Sequence, residues 1–319
     1  MALSNAFESE LDEESTKVKT AVICYGTHGS ERDGIAAGEE WTDDPGYEPH
    51  AFKLRTLQTN IAACEENKRY VDYDIQDFFT LAMLYGPQPY EGDSYELGRA
   101  REVAEDLGCT ITDTEGVDLL IDLHTTESNM GTTINVSRWN PYLFALCSHL
   151  VSEMPDIKVL WTPMERDECP YLDSLSHSGI TLEVGGCERH VENPGKKEIF
   201  MDTLTEILIF TDSWNEGTSE EPKPFPCYKD IGVVQLPGPG WEFSEEFRGS
   251  DYEPLKKGQV LFTHPEQGDI KWEEKSGVIY PCFIDEPEYN CAEEDWEAFD
   301  ICFLQPKFDI RDICRSLHK

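Results

Sequence analysis

Three short apolar runs rich in β-branched residues punctuate the first two-thirds of the chain: KTAVICYG (19–26), VDLLIDLH (117–124) and SGITLEVGG (178–186). Each closes on glycine or a polar residue, which predicts strands of the buried type. Elsewhere apolar positions recur every three or four residues, in SYELGRAREVAEDLG (94–108), PYLFALCSHLVSEM (141–154) and KKEIFMDTLTEILIFTDSW (196–214). That spacing predicts amphipathic helices, the first stopping at Gly108. Strands alternating with helices imply an α/β fold built on an open, largely parallel sheet. The pattern changes at NEGTSEEPKPFP (215–226), a polar, proline-rich connector. Beyond it, IGVVQL, GQVLF and GVIYPCF are separated by PGPG, KKG and EKSG, which predicts a smaller, mostly β domain over residues 217–319. No internal repeat is visible.

Length and composition narrow the class. A chain of 319 residues, 39% hydrophobic and 11% aromatic, is globular and long enough for two domains. The formal net charge of −38 argues against nucleic acid or an anionic membrane as partner, because such surfaces require Lys and Arg. It reads instead as a solvated surface whose field attracts cations. The 11 cysteines stand singly, with no CxxC pair and no secretory leader, which predicts free thiols in a reducing compartment. No apolar run is long enough for a membrane span. Residues 1–18 are acidic and predict a flexible tail. The expectation is a soluble cytoplasmic protein.

Candidate chemistry gathers where the strands end. In an open α/β sheet, ligands sit outside the carboxyl ends of the strands. His28 and Glu31 follow the first strand in GTHGSE, His124 ends the second, and Glu183 lies in the third. Two histidines and one carboxylate can bind zinc and leave a fourth position for water. Glycine turns and helix caps also use His and Glu freely, so spacing alone leaves a turn and a metal site both open. Glu183 sits in an otherwise apolar run. It is either a strand-end residue facing solvent or a buried carboxylate, costly unless it is paired or functional.

GTHGSE (26–31), KRYVDYDI (68–75), DLLIDLHTTESNMGTT (118–133) and ITLEVGG (180–186) resemble segments of the aspartoacylase/succinylglutamate desuccinylase family, which is related to the zinc carboxypeptidases. The resemblance implies a carboxypeptidase-like open mixed sheet flanked by helices. Residues 19–216 would form the catalytic domain, and the C-terminal domain would cover the cleft. It implies one zinc ion per chain on His28, Glu31 and His124, a general base at Glu183, and a carbonyl-polarising Arg69. Tyr289 and Asn129 fall on substrate-contacting or site-shaping positions. The implied reaction is hydrolysis of the amide bond of a small N-acyl amino acid, and the implied assembly is a homodimer or higher.

Four positions depart from the family pattern. Family members follow the DYDI-type segment with an asparagine and an arginine that grip substrate carboxylates, and here those positions hold Gln76 and Asp77. A second arginine falls on Asp173, and a nearby tyrosine falls on Cys169 with Tyr171 close by. Arginine binds a carboxylate through its planar fork, whereas aspartate repels one. The exchanges predict a cationic substrate, such as an N-acylated diamino acid or an acylated polyamine. A register shift in the loop 163–176 would instead bring Arg166 or Arg189 to the site and restore an N-acyl aspartate. Two other readings stay open: a zinc carboxypeptidase acting on peptides, and a non-catalytic binding protein on the same scaffold.

Overall fold

A computed structural model describes residues 17–86, 94–113, 115–273, 277–286 and 297–309. The elements in order are β1 (Thr20–Tyr25), α1 (Arg32–Asp43), β2 (Lys53–Gln58), α2 (Ile61–Glu66), α3 (Leu81–Tyr85), α4 (Tyr95–Asp106), β3 (Val117–Thr126) and β4 (Thr132–Val136). They continue with α5 (Pro141–Glu153), β5 (Lys158–Trp161), β6 (Ser176–Gly185), α6 (Pro194–Glu216), β7 (Phe225–Gln235), β8 (Glu242–Phe243), β9 (Val260–His264), β10 (Gly268–Lys271), β11 (Tyr280–Cys282) and β12 (Glu297–Phe308). Among the described residues no helix is long and apolar enough to cross a membrane.

The helix ends follow the capping chemistry of the sequence. Ser94 accepts from Leu97 N and opens α4, and Gly108 takes a positive φ just past its end. Asn140 and Asn193 cap α5 and α6, each followed by proline at the first helical position, where its missing N–H costs nothing. Gly217, in the left-handed conformation, ends α6.

Among the described residues, nine strands form one mixed sheet in the order β11-β12-β7-β5-β4-β6-β3-β1-β2. The strands β2, β1, β3 and β6 are parallel, and β4 enters antiparallel to β6. The C-terminal region is mostly β, as its turn-rich sequence predicts. Three of its strands extend the main sheet, while β8, β9 and β10 pair in a small sheet of their own. At the other end Val18 is buried, with its N–H donated to Asn215 Oδ1.

Alternation along the strands sorts the core into two layers. Ile23, Tyr25, Leu119, Ile121, Leu123, Ile180 and Leu182 pack with α1, α5 and α6. Val22, Cys24 and Leu120 face the opposite layer, built from Phe78 and Phe79, from α4, and from Leu172 and Leu175. The second layer stops short of the carboxyl ends of β3 and β6. Side chains on that face beyond Leu120 therefore look into a cleft rather than a core.

Candidate metal centre and its cleft

Asp122 and His124 follow Leu120 on the cleft face of β3 at period two, and Thr181 and Glu183 do the same on β6. Strand register sets His124 beside Glu183. The opening motif GTHGSE supplies the rest. Gly26 holds φ +67°, and a Cβ on Gly29 would stand 2.1 Å from the carbonyl carbon of Ala63. Only glycine allows the turn to press against α2 so closely. Glu31 occupies the cap position of α1 but makes no side-chain cap bond. Its carboxylate goes elsewhere.

Glu31 Oε1 lies 2.6 Å from His28 Nδ1, and Glu31 Oε2 lies 3.2 Å from His124 Nδ1. Thr125 N donates to Glu31 Oε2 at 2.8 Å. One ligand atom from each of these three buried side chains falls within 4.8 Å of the others. Burial alone would push the Glu31 carboxyl up, but His124 and His28 together hold it well below the usual carboxylate range. Three buried donors converging on one point, two imidazoles and a carboxylate, suit a divalent cation of borderline softness. The turn-or-cap alternative gives no reason for Glu31 to face both rings.

A second layer of carboxylates orients the first. Asp122 Oδ2 is 2.8 Å from His124 Nε2, and its Oδ1 accepts from the Thr27 hydroxyl at 2.8 Å. Asp74 Oδ1 is 3.2 Å from His28 Nε2, and its Oδ2 receives Arg69 Nε at 2.9 Å. Burial raises the Asp74 carboxyl less than His28 and Arg69 depress it. Each imidazole thus has one nitrogen on a carboxylate and the other directed to the centre. The Asp122 signal is present in DLH, where an acid precedes a histidine by one strand period.

Glu183 is buried, and that burial pushes its carboxyl up to about 7, with His124 pulling the other way. It lines a cleft of about 690 Å³ together with His28, Glu31, His124, Arg69, Gln76 and Tyr171, and with Phe283, Glu286 and Asp300 from the C-terminal region. Among the described residues that line it, Arg69 is the single Lys or Arg. Glu286 is engaged by Arg189 and by the Thr126 hydroxyl, and accepts from Glu127 N at 3.0 Å.

The remaining candidates scatter. Gln76 lines the cleft, whereas Asp77 is exposed and is not among the lining residues. Asp173 is buried away from the lining, accepting from Ser137 Oγ at 2.8 Å. Asn129 ties the post-β3 loop to the C-terminal region, donating Nδ2 to Gly249 O at 3.1 Å. Tyr289 lies outside the described residues. Arg166 lines a separate groove with Arg138 and Trp139, while Arg189 reaches the rim of the cleft through Glu286. Sequence reasoning passed over Glu286 and Asp300 because both come from turn-rich C-terminal segments, where nothing local marks a side chain as facing the cleft.

The family described as succinylglutamate desuccinylase/aspartoacylase catalytic domain matches residues 17–205 of this chain. The chain belongs to this family. A human N-acyl-aromatic-L-amino acid amidohydrolase is 29% identical over 282 residues, covering 85% of this chain and 87% of its own. A probable aspartoacylase from Nostoc is 31% identical over 283 residues, covering 86% and 93%. Among solved structures, a mutant of murine aminoacylase 3 superposes with a TM-score of 0.79 at 25% identity, covering 91% of this chain and 97% of its own. Within the aspartoacylase family match lie the metal-ligand candidates, Arg69 and Glu183; Phe283, Glu286 and Asp300 lie beyond it.

Proposed function

We propose that this chain is a zinc-dependent deacylase that hydrolyses the amide bond of a small N-acyl amino acid whose amine half is basic. The observation that carries the reading is the convergence of His28, Glu31 and His124 beside Glu183, in a cleft that also presents Arg69. Membership of an amidohydrolase family supports the reaction class, linear-amide hydrolysis. The walls contributed by Phe283, Glu286 and Asp300 favour a small molecule over a polypeptide.

His28, Glu31 and His124 would hold the zinc, which when bound supplies Lewis acidity that makes water acidic near neutrality. Glu183 takes a proton from the attacking water and returns it to the leaving nitrogen. Arg69 faces the carbonyl oxygen as negative charge develops there, an interaction of about 2.7–4 kcal/mol by analogy with other oxyanion donors. Asp74 fixes the guanidinium through Nε and a terminal nitrogen, at 2.9 and 2.8 Å. Asp122 and Asp74 keep the imidazoles turned inward.

The specificity reading moves from Asp77 and Asp173 to Asp300. A carboxylate on the amine half would find no cation beside Arg69 among the described lining residues, and would face Asp300. A basic side chain would pair with it. Phe283 and Tyr171 in the same wall favour one second reading, an aromatic amine half. The test is a panel on zinc-loaded protein: N-acetyl-diaminobutyrate, N-acetylornithine, acetylpolyamines, N-acetyltyrosine and N-acetylaspartate. Basic substrates are expected to turn over fastest. Preference for N-acetylaspartate would overturn the specificity, preference for N-acetyltyrosine would select the aromatic reading, and hydrolysis of none would overturn the deacylase.

A further inference from the structure

Glu96 takes no part in the chemistry above, yet its carboxylate is fully buried. It stands in the first turn of α4, where the amino-terminal end of a helix favours negative charge. From there it reaches back to the segment RYVDYD (69–74). Oε1 accepts from Val71 N at 2.6 Å and from Asn60 Nδ2 at 3.4 Å. Oε2 accepts from Asp72 N at 3.0 Å and Tyr73 N at 3.3 Å. The segment answers in kind, since Asp72 Oδ2 accepts from Tyr95 N at 2.9 Å.

Asp72 and Tyr73 are exposed, so an ordinary turn here would leave these amides to water. Burying a carboxylate to collect them is a costly way to hold a surface turn. The ends of the turn explain the expense. Arg69 opens the segment, with its carbonyl accepting from Gly29 N at 3.2 Å, and Asp74 closes it, bonded to both Arg69 and His28. Oxyanion stabilisation depends steeply on where the donor stands.

We infer that Glu96 is a positioning residue for the reaction: by clamping the amides of residues 71–73 it sets the Arg69–Asp74 pair against the cleft. This rests on the deacylase reading, in which Arg69 faces the scissile carbonyl. Glu96→Gln keeps the size but turns an NH₂ group toward backbone donors. It is expected to lower kcat by about tenfold or more while KM moves less than about threefold, because alignment rather than substrate binding is lost. In an Arg69→Ala background the same substitution is expected to cost less than about threefold, since the group it positions is gone. An equal penalty in both backgrounds, or an unchanged kcat in the single variant, would overturn the inference. If Glu96→Gln fails to fold, Glu96→Asp enters the same cycle with the charge kept and the reach shortened.

A measurement without substrate separates this from the function itself. In protein labelled with 15N-arginine, the Nε–H resonance of Arg69, assigned by its loss in Arg69→Lys, is expected to be protected from water exchange. That protection should collapse in Glu96→Gln, and its persistence would sink the proposal. Wild-type protein inert toward the whole N-acyl panel would end the deacylase reading, while the resonance still decides for or against Glu96.

Discussion

The two halves of the cleft are built differently. The metal-facing half draws on segments 27–31, 122–125 and Glu183, at or just past the carboxyl ends of the parallel strands β1, β3 and β6, and on segment 69–74, which follows α2. Its side chains hold one another: Glu31 bridges two imidazoles, Asp122 and Asp74 back them, and Arg69 leans on Asp74. The other half, which the proposed function assigns to the amine, takes Asn135 from β4, which runs against β6, Thr162 and Tyr171 from loops, and Phe283 and Asp300 from the C-terminal region. One half is a dense network whose members constrain each other. The other is a wall assembled from distant segments, which on the proposed reading could change without disturbing the reaction. The family match spans Asn135, Thr162 and Tyr171 but ends at residue 205, before Phe283 and Asp300.

That contrast predicts losses of different size and kind. The largest belongs to Glu183→Gln, which should lower kcat by about 10²–10⁴-fold with metal content unchanged, because only the proton carrier is removed. Activity within threefold of wild type in that variant would break the assignment of the base. Next comes Asp122→Asn, which removes the carboxylate behind His124 and should weaken metal binding by about 10–100-fold. Competition with a graded chelator, read by elemental analysis, measures it. Unchanged affinity would mean that the hydrogen bond from His124 to Asp122 does not tune the site.

The same contrast explains what the sequence could say. His28, Glu31, His124 and Glu183 were legible because each sits at a strand end whose apolar run announces it, and period-two spacing puts Asp122 on the same face as His124. Helices α4, α5 and α6 were equally legible from their apolar spacing, whereas α1, α2 and α3 were not. Reading Asp77 and Asp173 as pocket residues depended on carrying a register through a loop, where neither periodicity nor turn chemistry fixes which way a side chain points. β4 turning antiparallel was also hidden, because pairing direction is a property of two strands and one strand's pattern does not contain it. Asp300 lies in a strand that meets the cleft only after the chain has crossed the sheet.

At the amine-facing half the expected effect is smaller and selective. Asp300→Asn should reduce the preference for a basic over a neutral substrate of equal size by about 5–10-fold, as expected for a partly solvated ion pair. Turnover of the neutral substrate should stay within about twofold, because the reacting groups are untouched. An equal loss on both substrates would show that Asp300 supports the cleft instead of reading the substrate.

The smallest effect separates Asp173 from the cleft altogether. Burial pushes its carboxyl up to about 6 from an ordinary 3.8, with Ser137 opposing and Asp122 adding to the rise. A raised carboxyl pKa means that the folded chain holds the proton more tightly than the unfolded one. Stability contributed by the neutral form is therefore present at low pH, declines as pH rises between those two values, and is absent above about 6. Asp173→Asn mimics the neutral form and keeps an oxygen for the Ser137 hydroxyl. At pH 7.5 it should raise stability by about 1–3 kcal/mol and flatten the dependence of Tm on pH between 4 and 7, without moving the ratio of basic to acidic substrates. A shifted substrate ratio at constant Tm would return Asp173 to the substrate wall, and would make the two halves of the cleft less separable than their construction implies.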